Sequence, residues 1–309
     1  MKLKTLLLSF LILTATTAAR AKVPAEFNVA TYNLRQLNGG DNEAGNGWER
    51  RYPVIATLVQ FHDFDIFGTQ EGYKSQLEQL RAAMPGYDYI GIGRDDGKEG
   101  GEHSAIFYRT DLFEVVDHGD FWLSETPDRP GLGWDAVCNR ICTWGHFRHI
   151  PSGKEFLFFN LHADHIGKRA RVESAALVKN KMQEFGSTLP VFLTGDFNVD
   201  QTHSSYAAFN DGSALVDSYT VGKLVYALNG TYNAYHTDDY TDSRIDHIFV
   251  SPSIEVKKYG VLTDTYRTLD SSEASVSDSP DAPREITLRQ YTPRNPSDHY
   301  PVKIVVKLP

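Results

Sequence analysis

The sequence predicts an α/β protein in which two β-sheets pack face to face beneath outer helices. Many short segments rich in Val, Ile, Phe and Tyr alternate with turn residues along its 309 residues, as β-strands do in compact domains. A few longer segments show the spacing of an amphipathic helix, and the lack of a long repeat excludes solenoids and propellers. So many strands with so few helices fit two packed sheets better than a single parallel sheet.

The individual elements follow from the local patterns. The predicted strands lie at residues 27–34, 65–69, 87–93, 104–108, 141–148, 155–161, 191–195, 244–250 and 302–307. The predicted helices lie at residues 48–62, 74–84 and 168–185. One face of the last helix carries Ala175, Val178, Met182 and Phe185. Their spacing of three and four residues predicts that this face is buried.

No linker composition interrupts residues 22–309, which we expect to form a single domain. One segment within it, residues 263–296, is dominated by Ser, Asp, Pro and Thr and loses most of the apolar rhythm. Such a polar insertion is typical of a long loop or a small hairpin, and loops of this length often serve as functional lids.

The first residues have the pattern of a secretory signal peptide. Lys2 and Lys4 precede an apolar run at residues 6–13, and Ala-Arg-Ala follows at residues 19–21. The uncharged stretch is shorter than the ~20 residues that span a bilayer, so we expect no stable membrane insertion. Residues 1–21 therefore predict a secreted or periplasmic protein.

Removal of that segment makes the protein clearly acidic. It takes away Lys2, Lys4 and Arg20, which leaves 28 basic residues against 40 acidic ones, a net charge of −12. This balance argues against broad contact with a nucleic-acid backbone, although a local basic cleft would still allow nucleic acid as a partner. We expect a monomer.

Polar side chains stand just past the ends of several predicted strands. A carboxylate at the edge of an apolar core is costly unless a cation or a hydrogen-bond donor meets it, so a shared metal would explain the pattern. The residues are Asn33, Glu71, Asp196, Asn198, Asp298 and His299.

The oxygen-rich composition of this set favours Mg²⁺ or Mn²⁺. The competing interpretation is a zinc site in the segment HADH, residues 162–165, which partly matches the H-x-H-x-D-H motif of metallo-β-lactamase-like hydrolases. Asn160 stands where the first His of that motif would be, and zinc there would leave Asn33 and Glu71 without a role.

The motifs TYNLR, GTQE, NLHADH, TGDFN, RIDHIFV and PSDHYPV occur in this order between residues 33 and 299. In this the chain resembles the endonuclease/exonuclease/phosphatase family, and its HxDH segment is similar to the secreted bacterial branch. The resemblance implies a four-layer αββα sandwich built from two mixed sheets. Six motifs in order are a much stronger signal than any one of them alone.

Site roles follow from the resemblance position by position. It implies that Asn33, Glu71 and Asp298 surround the metal, directly or through its waters. It further implies that Asp196, together with Asn198, orients or deprotonates the attacking water.

The histidines have implied roles as well. His162 stands at the position of a phosphate-contacting or acid residue, and His299 is implied to contact the scissile phosphate while paired with Asp246. We therefore expect a hydrogen bond of about 2.6–3.2 Å between His299 and Asp246.

Other polar residues are candidates for supporting or substrate-contacting roles. Asp164 and His165 belong to the HxDH segment and either of them could support the ligands from behind. Arg94 and Glu102 flank the Gly-rich stretch GRDDGKEGGEH, which either approaches the substrate or forms a solvated hairpin turn.

Taken together, the resemblance implies an exported hydrolase of phosphate mono- or diesters that uses Mg²⁺ or Mn²⁺ and in-line attack by an activated water. A secreted nuclease is the main alternative, and a non-catalytic binding module or a zinc hydrolase are more distant ones. We expect a compact phosphate ester as substrate, because the acidic insertion at residues 263–296 would repel a polyanion.

Overall fold

The computed structural model describes residues 23–186, 188–269, 283 and 289–309. The predicted signal peptide at residues 1–21 and most of the polar insertion lie outside the described residues. Within the described part of the chain, no helix is long and apolar enough to cross a membrane.

Strands outnumber helices among the described elements. The helices are α1 (Gly39–Glu43), α2 (Trp48–Phe61), α3 (Lys74–Ala83), α4 (Lys168–Gly186), α5 (Ser204–Phe209) and α6 (Ser218–Val221). The strands are β1 (Glu26–Asn33), β2 (Ile66–Gln70), β3 (Tyr87–Ile90), β4 (Ile106–Arg109), β5 (Phe113–Trp122), β6 (Ile141–His149), β7 (Lys154–His162), β8 (Val191–Asp196), β9 (Val216–Asp217), β10 (Leu224–Tyr226), β11 (Asp246–Val250), β12 (Glu255–Val261), β13 (Tyr266–Thr268), β14 (Thr292–Arg294) and β15 (Val302–Lys307).

The strands form two large mixed sheets and one small hairpin. The first sheet has the order β10-β12-β15-β1-β2-β4-β3, and the second has the order β5-β6-β7-β8-β11-β9. In the first sheet β1 pairs in parallel with β2 and antiparallel with β15. In the second sheet β8 pairs in parallel with β7 and antiparallel with β11.

Three apolar clusters define the four layers. The central cluster packs one sheet on the other, with Phe27 of β1 stacked on Phe156 of β7 at 5.3 Å. A second cluster covers the outer face of the second sheet with α4 and α5, and a third covers the outer face of the first sheet with α2 and α3. Strand residues alternate between these clusters, as the period of two in a strand requires. The predicted αββα sandwich is confirmed.

Every predicted strand and helix is present, with small shifts at the ends. Strands β5 and β12 were not predicted, because each carries charged residues on an exposed face and each contains a β-bulge that breaks the alternation. On α4 the predicted face is buried at Met182, whereas Phe185 stays half-exposed and stacks on Trp144 at 4.0 Å.

The described ends of the polar insertion form a hairpin stem. Strand β13 pairs with β14, from Tyr266 opposite Arg294 to Thr268 opposite Thr292. Arg294 Nη1 also donates to Asn46 Oδ1 at 3.0 Å, which fixes the stem against the loop between α1 and α2. Residues 266–268 and 292–294 thus form a two-stranded stem, and most of the segment between them lies outside the described residues.

Candidate active site

Both sheets place their polar strand ends at one edge of the sandwich. In the first sheet, Asn33 ends β1 and Glu71 follows β2, the strand parallel to it. In the second sheet, His162 ends β7 opposite Asp196, which ends β8. Asp246 begins the antiparallel β11 and also lies opposite Asp196. The packing of the two sheets therefore brings these five side chains together.

The loop before β15 completes the group. Because β15 runs antiparallel to β1, the start of β15 lies beside the end of β1, with Val302 opposite Thr31. Asp298 and His299 lie just ahead of that strand and are buried. The loop is tied to β1 by Ser297, whose Oγ donates to Asn33 O at 2.7 Å.

Asn33 connects two carboxylates at the centre of the site. Its Nδ2 donates to Glu71 Oε1 at 3.0 Å and to Asp196 Oδ2 at 3.1 Å. The backbone N–H of Gln36 donates to the other oxygen of Glu71 at 3.0 Å. Glu71 and Asn198 have positive φ angles of 65° and 51°, a strained conformation for residues with side chains that often marks functional sites.

The acidic centre fits a hard divalent cation. A carboxylate oxygen of Glu71, one of Asp196 and a ring nitrogen of His299 lie within 4.8 Å of one another, and the two carboxylates are the oxygen ligands that such an ion prefers. Burial, together with the charges of Asp246 and Glu71, raises the pKa of Asp196 to about 7. Carboxylates crowded in this way repel one another, so a cation would stabilise their charged forms.

Asp298 is positioned differently from the other acids of the predicted metal set. Its Oδ2 lies 3.5 Å from Arg35 Nη1, and its Oδ1 lies 3.3 Å from Ser297 Oγ. Burial raises its pKa against the opposing effect of the neighbouring His299. Asp298 therefore lies beside the acidic centre in contact with an arginine.

His299 and Asp246 form the expected pair. His299 Nδ1 lies 2.8 Å from Asp246 Oδ2, within the predicted range. His299 Nε2 lies 3.8 Å from Asp196 Oδ2. Burial opposes the charged imidazole, but the carboxylates, with Asp246 first, outweigh it and hold the pKa of His299 well above its usual value. The geometry therefore favours a cationic His299.

His162 has the opposite electrostatic character. Asn198 Nδ2 lies 3.0 Å from His162 Nε2 and also donates to Ala163 O at 3.0 Å. Burial first, and then the charge of Arg140, lower the pKa of His162 well below its usual value. His162 is therefore neutral beside Asp196, whose Oδ2 lies 3.5 Å from its Nε2.

The predicted residues Asp164 and His165 lie behind His162, beside Arg140. Asp164 Oδ1 accepts the backbone N–H groups of residues 166 and 167, at 3.0 and 2.7 Å, and its Oδ2 lies 3.4 Å from Arg140 Nε. His165 Nδ1 lies 3.0 Å from Arg140 Nη2. The Asp164 carboxylate thus anchors the loop. Within the HADH segment, His162 contacts Asn198, whereas Asp164 and His165 contact Arg140.

Arg94 and Glu102 form a bidentate ion pair beside the cleft, with contacts of 2.5 and 2.9 Å. Glu102 Oε2 also lies 3.8 Å from His162 Nδ1. The Gly-rich stretch therefore reaches the site. Sequence reasoning missed Arg140, which belongs to none of the motifs, and Arg35, which ends the motif TYNLR but was given no role, because only the folded chain brings both side chains to the cleft.

A cleft of about 730 Å³ opens over the acidic centre. Its lining is predominantly polar and includes three arginines. The residues are Arg35, Gln36, Glu71, Tyr73, Arg94, Glu102, Val137, Cys138, Arg140, His162, His165, Asp196, Asn198, Tyr232, Ile245, Asp298 and His299.

Two solved structures are similar to this chain in both fold and sequence. A mannosyl-6-phosphatase of Bacteroides thetaiotaomicron is 60% identical over 91% of this chain and 99% of that chain, with a TM-score of 0.83. Another Bacteroides thetaiotaomicron protein, of the endonuclease/exonuclease/phosphatase family, is 58% identical over 93% of this chain and 99% of that chain, with a TM-score of 0.86.

Curated sequences match more distantly. An uncharacterized protein of Acanthamoeba polyphaga mimivirus is 29% identical over 162 residues, which are 50% of this chain and 60% of that relative. The model of the Endonuclease/Exonuclease/phosphatase family matches residues 30–299. This match covers most of the sequence and includes the acids at the strand ends and the His299–Asp246 pair. The chain therefore belongs to the endonuclease/exonuclease/phosphatase family, whose members hydrolyse phosphate esters.

Proposed function

We propose that this protein is an exported, divalent-metal-dependent phosphomonoesterase that removes the 6-phosphate from a mannosyl or closely related hexose residue. The observation that carries the proposal is the buried group of Glu71, Asn33, Asp196 and His299 at the base of an arginine-lined cleft. The 60% identity to a mannosyl-6-phosphatase, over 99% of that chain, supports the choice of a hexose 6-phosphate. The pattern of residues 1–21 supports export.

The metal would be held by Glu71, with Asp298 nearby, while the Asn33 amide nitrogen positions the carboxylates of Glu71 and Asp196. The oxygen donors suit Mg²⁺ or Mn²⁺. When bound, such an ion would neutralise part of the charge on the phosphate. The remaining chemistry belongs to side chains of the protein.

Asp196 is placed to act on the attacking water. It is held by two amide groups, since Asn198 N donates to its Oδ1 at 2.9 Å and Asn33 Nδ2 to its Oδ2 at 3.1 Å. Burial and the neighbouring carboxylates raise the pKa of Asp196, which makes it a better proton acceptor than a free carboxylate. The water oxygen then forms a bond to phosphorus and gives its proton to Asp196, while the bond from phosphorus to the sugar oxygen breaks and the sugar oxygen takes a proton from solvent water to leave as a hydroxyl.

His299 is placed to hold the phosphate during this exchange. Its Nδ1 proton is directed to Asp246, so its Nε2 faces Asp196 and the cleft. A cationic imidazole there would donate to a phosphate oxygen on which negative charge develops. Asp246 keeps the ring in this tautomer and orientation.

The test uses the mature protein without residues 1–21 and measures phosphate release from mannose 6-phosphate, with bis(p-nitrophenyl) phosphate and plasmid DNA as comparison substrates. Mannose 6-phosphate should be the best substrate in Mg²⁺ or Mn²⁺, and chelation should abolish turnover. An Asp196→Asn variant purified in parallel should be slower by at least ~10² and controls for a contaminating phosphatase. Preference for DNA would favour the nuclease alternative, and full activity with Zn²⁺ alone would favour the zinc interpretation.

A further inference from the structure

One wall of the cleft carries three buried nitrogen atoms without a hydrogen-bond partner among the described residues. They are Arg94 Nε, His162 Nδ1 and Arg140 Nη1. All three side chains line the cleft. Leaving a buried polar group unpaired destabilises the folded protein, and more so when the group is charged, so such groups in a binding cleft point to a ligand that pairs with them.

All three atoms are donors. Asn198 Nδ2 already donates to Ala163 O, which identifies it as the amide nitrogen, so it also donates to His162 Nε2. His162 Nε2 is therefore an acceptor, and the ring proton lies on Nδ1. The nearest carboxylate oxygen, Glu102 Oε2, is 3.8 Å away, too far for a hydrogen bond.

The two guanidinium groups are held in place from behind. Glu102 holds Arg94 through two contacts of 2.5 and 2.9 Å. Asp164 and His165 hold Arg140 at 3.4 and 3.0 Å, and the Arg140 side chain is only 5% exposed. Each arginine is thus fixed by some of its donors while one donor stays unpaired, which is a preorganised arrangement for an oxygen-rich anion.

The wall lies next to the acidic centre. His162 belongs to both, since its Nε2 is 3.5 Å from Asp196 Oδ2 while its Nδ1 faces the arginine side. A phosphate held in the cleft over Asp196 and His299 would therefore lie beside this wall.

We propose that Arg94, His162 and Arg140 form a phosphate-binding wall that makes the cleft selective for phosphomonoesters over phosphodiesters. This proposal rests on the phosphatase function proposed above. A monoester dianion presents three non-bridging oxygens, and the wall supplies donors for those that the catalytic centre does not engage. A diester carries one charge fewer and has a carbon substituent on one of these oxygens, so it cannot use all the donors.

The experiment compares Arg140→Met with Arg140→Lys. Calorimetry with inorganic phosphate measures the affinity of the cleft for phosphate and needs no turnover. We expect Arg140→Met to weaken phosphate binding roughly tenfold or more, and to lower kcat/KM for mannose 6-phosphate about 10- to 100-fold, the loss typical of a charge-assisted hydrogen bond. Hydrolysis of bis(p-nitrophenyl) phosphate should change little, and Arg140→Lys should restore part of the phosphate binding.

The matched control is Arg171→Lys. Arg171 is also buried, also has an Nε without a partner among the described residues, and also holds the same loop through Asp164 O at 2.7 Å, but it does not line the cleft. Thermal unfolding of each variant shows whether the fold is kept, which we expect because the Asp164 carboxylate retains its backbone donors.

The outcomes separate the two proposals. Unchanged phosphate binding in Arg140→Met, equal losses on both esters, or an equal loss in Arg171→Lys would overturn the phosphate-binding wall. If the wild type leaves sugar phosphates intact but binds inorganic phosphate through Arg140, the wall is supported and the proposed phosphatase function is wrong.

Discussion

Replacing Asp246 with Asn removes one charge from the His299 pair and leaves its shape unchanged. The two side chains are 5% and 1% exposed and 2.8 Å apart, so solvent does little to screen the interaction. A hydrogen bond to a charged group contributes about 1.5–3 kcal/mol, against about 0.5–1.5 for a neutral one. The difference of roughly 1–2 kcal/mol corresponds to a loss of about 5- to 30-fold in kcat.

The same substitution should change the pH profile. The pKa of His299 is raised mainly by Asp246, against the effect of burial, so Asp246→Asn should lower this pKa. If activity needs the cationic imidazole, activity is present below the pKa of His299 and is lost as pH rises above that pKa. The alkaline limb of kcat for mannose 6-phosphate should therefore move to lower pH in the variant.

A double-mutant cycle tests whether Asp246 acts through His299. In a His299→Ala background, Asp246→Asn should have little further effect on kcat, because the group it orients is already absent. Multiplicative losses in the double variant, or an alkaline limb that stays where it is in wild type, would refute this reasoning.

Three further changes probe other parts of the molecule. Glu71→Gln should lower kcat by at least ~10² without changing the thermal unfolding midpoint, and a wild-type rate would exclude Glu71 from the metal site. Replacing residues 270–288 with a short Gly-Ser linker removes five acidic residues and one basic residue. It should raise the ratio of plasmid nicking to sugar-phosphate hydrolysis, and an unchanged ratio would show that the segment does not select substrates. Asp217→Asn should reduce the free energy of unfolding at neutral pH by about 3 kcal/mol, because Arg244, 2.9 Å away, would lose its buried partner. Although burial opposes it, the neighbouring His247, whose Nδ1 lies 3.7 Å from Asp217 Oδ2, and Arg244 hold the pKa of Asp217 well below its usual range. The contribution is therefore present above the unfolded pKa of about 3.9 and is lost as pH falls through the lower pKa of the folded state. Urea unfolding should show the difference between wild type and variant shrinking at acid pH, and a constant difference would contradict the assignment.

The sequence predicted those features that are local to a strand and its end. Buried strands such as β8 are short apolar runs, and the residue that ends the run, Asp196, stands out because a charge there needs a partner. The His299–Asp246 contact was predicted only through the family resemblance, since 53 residues separate the two in sequence. Its observed length confirms that prediction.

Features that depend on strand order could not be predicted in the same way. Arg140 precedes β6 as one of many charged residues next to a strand, and it reaches His165 only because β6 pairs with β7. The half-exposed Phe185 shows the same limit. Its spacing matches the buried face of α4, but the contact with Trp144 leaves it at the edge of the core.

The position of β15 has a consequence for how the protein acquires its activity. The last strand pairs with the first one from Glu26 opposite Lys307 to Thr31 opposite Val302, and it lies between β1 and β12 inside the sheet. During synthesis the first sheet therefore stays incomplete between β1 and β12 until β15 has left the ribosome. Contacts of such sequence separation form slowly. Because Asp298 and His299 lie just ahead of β15, the pairing of this strand with β1 also completes the group of polar side chains at the strand ends.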